Sequence, residues 1–210
     1  MLVWSMYIAL EWVVGVGKST QTELLTKRLA ETYQKEVVAV REPWGTQIAQ
    51  AIRVLVQATD FEEAMQPITD AYLYASARAQ LIHGLINPSL EKWSIVISDR
   101  CVVSSLTIQW VAQDYWMQRV RDINEVAVCD SLPDIIIFLD LPVKEWILRT
   151  FDEQWDKRER KPIEFSKKIY SWYEKCFSFK PIQDRMKRVD ASWTVEEVFE
   201  RLKQVIESRM

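Results

Sequence analysis

Glycine is nearly missing from this chain, at 4 residues in 210. Glycine ordinarily supplies about 7% of a chain, so turns that need a left-handed backbone must here be made by other residues. Histidine occurs once, as His83, and cysteine three times, at Cys101, Cys129 and Cys176. The single histidine lies in a helical pattern and reads as structural, and no Cys/His spacing suggests zinc. Three scattered cysteines fit a reducing cytosol better than a disulfide framework. Neither charge sign dominates, with 30 acidic residues against 27 basic ones. That balance argues against a general nucleic-acid binder. No apolar run reaches membrane-spanning length, and the chain enters an apolar strand pattern almost at once, without a cleavable signal. A cytoplasmic protein with neither nucleic acid nor membrane as partner is expected.

Tryptophan is over-supplied where glycine is short: there are 10. The two types together make about 7% of the chain, the share glycine alone ordinarily takes. Several tryptophans stand where a turn would favour glycine. Trp44 follows Pro43, Trp93 lies between a helix and a strand, Trp193 follows Asp190-Ala191-Ser192, and Trp12 sits in a loop motif considered below. A codon written as Trp but read as Gly in the source organism would produce this pattern, and so would a chain simply rich in Trp.

Hydrophobic patterning alternates strand and helix. Strands are expected at about 6–10, 37–40, 95–98, 135–140 and 186–189. Helices are expected from Lys18, over 46–58, 68–91, in two stretches within 103–130, to about 150, over 163–177 and from Val195 to about Ser208. Continuous apolar strands separated by helices indicate a five-stranded parallel sheet covered on both faces, in one domain over 1–210. Ligands of such sheets bind beyond the carboxyl ends of the strands, where Arg41, Asp99 and Arg100 lie.

The most informative stretch is IALEWVVGVGKST, residues 8–20. A buried strand, a Gly-containing loop, Lys-Ser-Thr and an amphipathic helix make the layout of a phosphate-binding P-loop. Loop N–H groups point at phosphate oxygens, Lys18 supplies a mobile positive charge, and the Ser19 hydroxyl suits Mg²⁺. One letter departs: the pattern asks for Gly at position 12, and Trp12 is there.

Seven segments in order, EWVVGVGKSTQTELL, REPWGT, TDAYLYASARAQL, ISDRCVVSSLTIQW, LPDIIIFLDLP, DKRERKPIEF and VDASWTVEEV, resemble the thymidylate kinase family of P-loop nucleoside-monophosphate kinases. The resemblance implies a P-loop NTPase fold and transfer of phosphate from ATP, with Mg²⁺, to dTMP for dTTP biosynthesis. It places Trp12, Val13, Val14, Gly15, Val16, Gly17, Lys18, Ser19, Thr20 and Arg149 at ATP. Lys18, Asp99 and Arg100 would be catalytic, with Ser19 and Asp99 (through water) at the metal. Arg41, Pro43, Tyr74, Arg78, Arg100, Ser105 and Gln109 would surround dTMP, Tyr74 stacking on the base and Arg78 hydrogen-bonding it. Arg158, Arg160 and Lys161 belong to a lid over about 152–161. The resemblance also implies a homodimer.

Departures from the family pattern are Trp12 and Trp44 at glycine positions, Val14 at a common acidic position near the sugar, Ile108 for a common Tyr and Cys101 for the usual aromatic. Two other readings therefore remain: a kinase for another nucleotide or nucleoside, and a nucleotide-binding protein with impaired catalysis. Ser192 and Asp190, in the loop that would flank adenine, read equally well as the cap of the last helix.

Overall fold

The structure is a computed structural model that describes residues 4–12, 18–58, 60–109, 117–142, 145 and 163–209. Its centre is a five-stranded parallel sheet of β1 (Met6–Trp12), β2 (Val37–Arg41), β3 (Ile95–Asp99), β4 (Ile135–Asp140) and β5 (Met186–Asp190), in the order β2-β3-β1-β4-β5. The described helices are α1 (Lys18–Tyr33), α2 (Gln47–Gln57), α3 (Pro67–Leu81), α4 (Asn87–Glu91), α5 (Val102–Ser104), α6 (Met117–Val128), α7 (Ile163–Cys176) and α8 (Val195–Glu207). The strands expected from the sequence are all present; β1 runs on to Trp12, two residues beyond its expected end.

Strand alternation divides the core. Met6, Ile8, Leu10, Ile95 and Ile97 pack with Leu25 and Leu29 of α1 and with Leu202 and Ile206 of α8. Tyr7 and Val96 join a second cluster with Leu81, Ile82 and Ile86. Both faces of the sheet are thus covered, which is why its central strands β1, β3 and β4 are mostly apolar.

The stretch expected as one helix over 68–91 is continuous in path but changes pitch. A π-helical turn, Ile82–Ile86, joins α3 to α4. Pro88 lies in the first turn of α4 and has no N–H for the carbonyl four residues back. A widened turn just before it accommodates that lost bond. A second π-helical turn, Ser105–Gln109, follows the short α5.

Glycine scarcity is visible in the backbone. Gln34, Trp93 and Cys129, each just past a helix, have φ of 52°, 64° and 41°. These are left-handed positions that glycine usually takes. The cap of α8 also differs from expectation. It is Thr194, whose Oγ1 accepts from Glu197 N while Glu197 Oε2 accepts from Thr194 N. Asp190 instead closes a turn, accepting from Ser192 N at 2.9 Å.

The strand order reverses at β1 and β3: the chain leaves β1 towards β2 and leaves β3 towards β4. This is the switch point at which ligands of open parallel sheets bind. The register places Arg41, Asp99 and Leu10 in one row there.

Candidate active site

Beyond that row the chain makes its most constrained turn. Arg100 has φ 76°, left-handed for a residue with a side chain. The turn is fastened to its surroundings: Arg100 N donates to Leu10 O at 2.9 Å, Ser98 Oγ to Arg100 O at 2.6 Å, and Cys101 N to Glu11 Oε1 at 2.8 Å. A strained backbone held by several bonds is a pointer to function.

The Arg100 side chain is 14% exposed. Its Nη1 donates to Ser104 Oγ at 3.0 Å and lies 3.9 Å from Glu11 Oε2. Its guanidinium stands 5.8 Å from the centre of the Trp12 ring. Burial alone would lower its pKa, but Tyr173, Glu11 and Asp99 override that and hold it above the ordinary value. Arg100 is therefore a fixed positive charge at the carboxyl edge of the sheet.

Asp99 is half-buried. Its Oδ2 lies 3.8 Å from Arg41 Nε. Its Oδ1 is buried and has no hydrogen-bond partner among the described residues. A carboxylate oxygen without a partner, at the carboxyl edge of the sheet, is the hard oxygen donor that a divalent cation takes, so the residues present fit Mg²⁺.

A second cluster lies along α3. Tyr74 and Arg78, one turn apart, face the same way. Tyr74 packs on Trp44 with ring centres 5.1 Å apart. Burial first, then the nearby Asp70, raises its pKa. Arg78 is 1% exposed. Its Nε pairs with Glu42, its Nη1 with Asn124 Oδ1, and its Nη2 with Ser105 Oγ at 3.0 Å. Tyr7 OH also donates to Glu42, at 3.1 Å. A guanidinium has five N–H groups, so one on each terminal nitrogen is left over among the described residues. Gln109 Nε2 donates to Asp70 Oδ2 at 3.3 Å, while its Oε1 is buried without a partner among the described residues. Gly45, in the turn after Pro43, packs so tightly that a Cβ there would meet Leu81 Cδ1 at 2.5 Å.

The structure thus brings Tyr74, Arg78, Ser105 and Gln109 together, and sets Arg41, Asp99 and Arg100 at the adjoining strand ends. Pro43 is buried in the turn after β2. Trp12 is fully buried in β1, paired with Leu139 of β4. The backbones of Lys18 and Ser19 open α1, with Thr20 following, exposed. Val13, Val14, Gly15, Val16, Gly17, Arg149, Arg158, Arg160 and Lys161 lie outside the described residues, as does the whole segment expected to be a lid.

Four polar groups escaped the sequence reading: Glu11, Glu42, Asn124 and Tyr173. Glu11 is fully buried and accepts from Cys101 N, Ser104 N, Ser104 Oγ and Tyr173 OH. Burial pushes its pKa up, opposed by Arg100 and these bonds. The available signal was its position: one carboxylate in an otherwise apolar buried strand is costly unless something holds it. Asn124 gave the same kind of signal, lying in a buried helical stripe with Val120 and Val128.

A family model described as thymidylate kinase matches residues 10–202. A thymidylate kinase of Symbiobacterium thermophilum is 38% identical, covering 97% of this chain and 93% of its own length. One of Exiguobacterium sibiricum is 36% identical, covering 90% of this chain and 88% of itself. The crystal structure of thymidylate kinase from Ehrlichia chaffeensis has the same fold, with a TM-score of 0.71 at 24% identity over 97% of this chain and 99% of that one. The ordered motifs, the switch-point site and these matches together make the chain a member of the thymidylate kinase family, a P-loop nucleotide kinase.

Proposed function

We propose that this protein catalyses ATP plus dTMP giving ADP plus dTDP, with Mg²⁺, as a step of dTTP biosynthesis in the cytoplasm, and that it works as a homodimer. The observation that carries the reaction is the placement of Asp99 and Arg100: their turn is bonded to β1 at Leu10, directly before the P-loop sequence.

An oxygen of the dTMP phosphate attacks the γ-phosphorus of ATP, and the bond from that phosphorus to the bridging oxygen of ADP breaks in line. No covalent enzyme intermediate is needed, so the protein contributes positioning and charge. Lys18 meets the β/γ-phosphates. Arg100 meets the acceptor phosphate and the transferred group. When bound, Mg²⁺ neutralises phosphate charge, and Ser19 and Asp99 would hold it, Asp99 through water. Tyr74 offers a face for the base, with Arg78 and Gln109 supplying donors and an acceptor at its edge. Arg41, Pro43 and Ser105 line the acceptor site, and Arg149 with the segment Trp12 to Thr20 serves ATP. Closure of the segment over 152–161, with Arg158, Arg160 and Lys161, excludes water as a competing acceptor.

The test is dTMP-dependent ADP formation by the chain as written, with Trp12→Gly and Arg100→Ala alongside. Turnover with dTMP above other nucleoside monophosphates is expected, falling roughly 100-fold or more in Arg100→Ala. Preference for another acceptor would reassign the substrate. Activity confined to Trp12→Gly would mark Trp12 as the impairment, and near-normal turnover in Arg100→Ala would refute the role given to that residue.

A further inference from the structure

Glu11 is a fully buried polar group that the reaction above leaves without a task, and all of its contacts lead to one place. Oε1 accepts from Cys101 N at 2.8 Å and Ser104 N at 3.1 Å. Oε2 accepts from Ser104 Oγ and from Tyr173 OH, each at 2.8 Å, and lies 3.9 Å from Arg100 Nη1. One oxygen holds backbone; the other faces side chains around a guanidinium.

We infer that Glu11 is a positioning residue for Arg100, setting both the backbone turn and the hydrogen-bond polarity that aim its guanidinium at the acceptor phosphate. This rests on the kinase reading above.

Three features separate that role from simple satisfaction of buried donors. First, the left-handed turn at Arg100 does not hold itself. Its bonds to β1 come from Leu10 O and Glu11 Oε1, so the arginine is located relative to the strand that leads into the P-loop. Second, Glu11 sets which way the Ser104 hydroxyl points. Ser104 Oγ donates to Glu11 Oε2, so its O–H is turned away from Arg100 Nη1, which donates to the same oxygen. Third, Glu11 stands beyond hydrogen-bond distance of the guanidinium. It attracts the arginine without occupying the N–H groups a phosphate would need.

Glu11→Gln isolates this role. The amide oxygen can still take the two backbone N–H groups. The amide nitrogen must donate, so the Ser104 and Tyr173 hydroxyls rotate to accept, and the Ser104 O–H is free to turn towards Arg100. Packing is kept while the charge and the hydroxyl polarity are lost.

The experiment compares parent, Glu11→Gln, Arg100→Ala and the double variant, in turnover and in calorimetric binding of dTMP and of thymidine. In Glu11→Gln, kcat with dTMP should fall roughly 10- to 100-fold while KM for ATP stays within about twofold. Affinity for dTMP should drop and affinity for thymidine, which has no phosphate, should not. In the Arg100→Ala background the substitution should add little. Parent-like kcat in Glu11→Gln overturns the inference. So does equal loss of thymidine, dTMP and ATP affinity, which would mean collapse of the pocket, and so does full additivity with Arg100→Ala. If Glu11→Gln does not fold, Ser104→Ala carries the same expectation, since it removes the oriented acceptor. A parent that binds dTMP more tightly than thymidine but does not turn it over sinks the kinase reading alone, and the binding comparison still tests Glu11. A parent that binds the two alike, or neither, overturns the inference, because Arg100 then meets no phosphate.

Discussion

At Trp93 the chain leaves α4 through φ 64°. Trp93 N donates to Leu90 O at 2.9 Å and Ser94 N to Ser89 O at 3.1 Å, the bond pair of a helix stop whose left-handed residue is normally glycine. A side chain there costs about 1–2 kcal/mol, and the indole is 53% exposed, so little burial offsets it. Lys35 Nζ donates to the Trp93 carbonyl, which any residue supplies. Trp93→Gly should therefore stabilise the protein by about 0.5–1 kcal/mol after the entropy glycine adds to the unfolded chain. Urea unfolding checks this; a lower midpoint would mean that indole packing outweighs the strain. Trp12 is the opposite case. Its ring is fully buried, so Trp12→Gly should lower stability even if it restores turnover. The motif shows that position 12 departs from pattern, but not that β1 continues through it and lodges the indole in the core. Glu11, its neighbour, was legible only as an oddity, because its partners lie some 90 to 160 residues away.

Among the elements, α8 shows how local chemistry fixes a boundary. Its start at Val195 is legible, but Ser192 and Asp190, which read equally well as a loop beside adenine or as its cap, are not the cap; TVEE carries a capping box, Thr194 with Glu197 three residues on. Polar residues crowd this loop, and only the reciprocal pair breaks the tie. Thr194→Ala should cost about 1 kcal/mol, seen as a lower melting temperature. The same end has an acid signature. Bonds from Ser192 lower the Asp190 pKa, and bonds from Thr194 lower that of Glu197. Groups lowered by folding stabilise above their unfolded pKa and lose that contribution as pH falls through the folded value. Glu11 has the reverse sign: raised by burial, its contribution is fully present below the ordinary carboxylate range and is lost as pH rises through the folded value. On acidification from neutrality to about pH 3, below the ordinary carboxylate range, hydrogen-exchange protection, taken relative to the intrinsic rate at each pH, should therefore fall at the amides of Thr194 and Glu197 before those of Cys101 and Ser104. Earlier exposure of the Glu11-bound amides would contradict this. The π-helical turn at Ile82–Ile86 was not legible, since widening by one residue barely disturbs a helical hydrophobic pattern.

For the whole molecule, the five parallel strands followed from the alternation of apolar strand and helix patterns, because a parallel sheet covered on both faces needs apolar strands joined by helical crossovers. The assembly of Glu42, Arg78, Asn124 and Ser105 did not, because it joins four separate elements through buried polar contacts that leave no local spacing. Composition bears on the molecule as a whole in another way. Among the described residues the tryptophans are of two structural kinds. Trp4 packs edge-on against Tyr33 and Trp172 lies within α7, as aromatic residues ordinarily do. Trp93 takes a left-handed helix stop. Trp44 closes a turn, its N–H donating to Arg41 O at 2.8 Å. Trp193 is exposed after the Asp190 turn, and Trp12 ends the strand before the P-loop. Of these four, Trp93 alone has a left-handed backbone, and the other three stand where the sequence pattern favours glycine, in a chain with only 4 glycines. If their codon is read as glycine in the source organism, the intact mass of the natural polypeptide will fall short of the written sequence by whole Trp-to-Gly differences. Peptide mapping will then place those differences at 12, 44, 93 and 193. A mass equal to that of the written sequence, or ordinary Trp codons at all ten positions, would make the tryptophans genuine and Trp12 a true feature of this enzyme's phosphate loop.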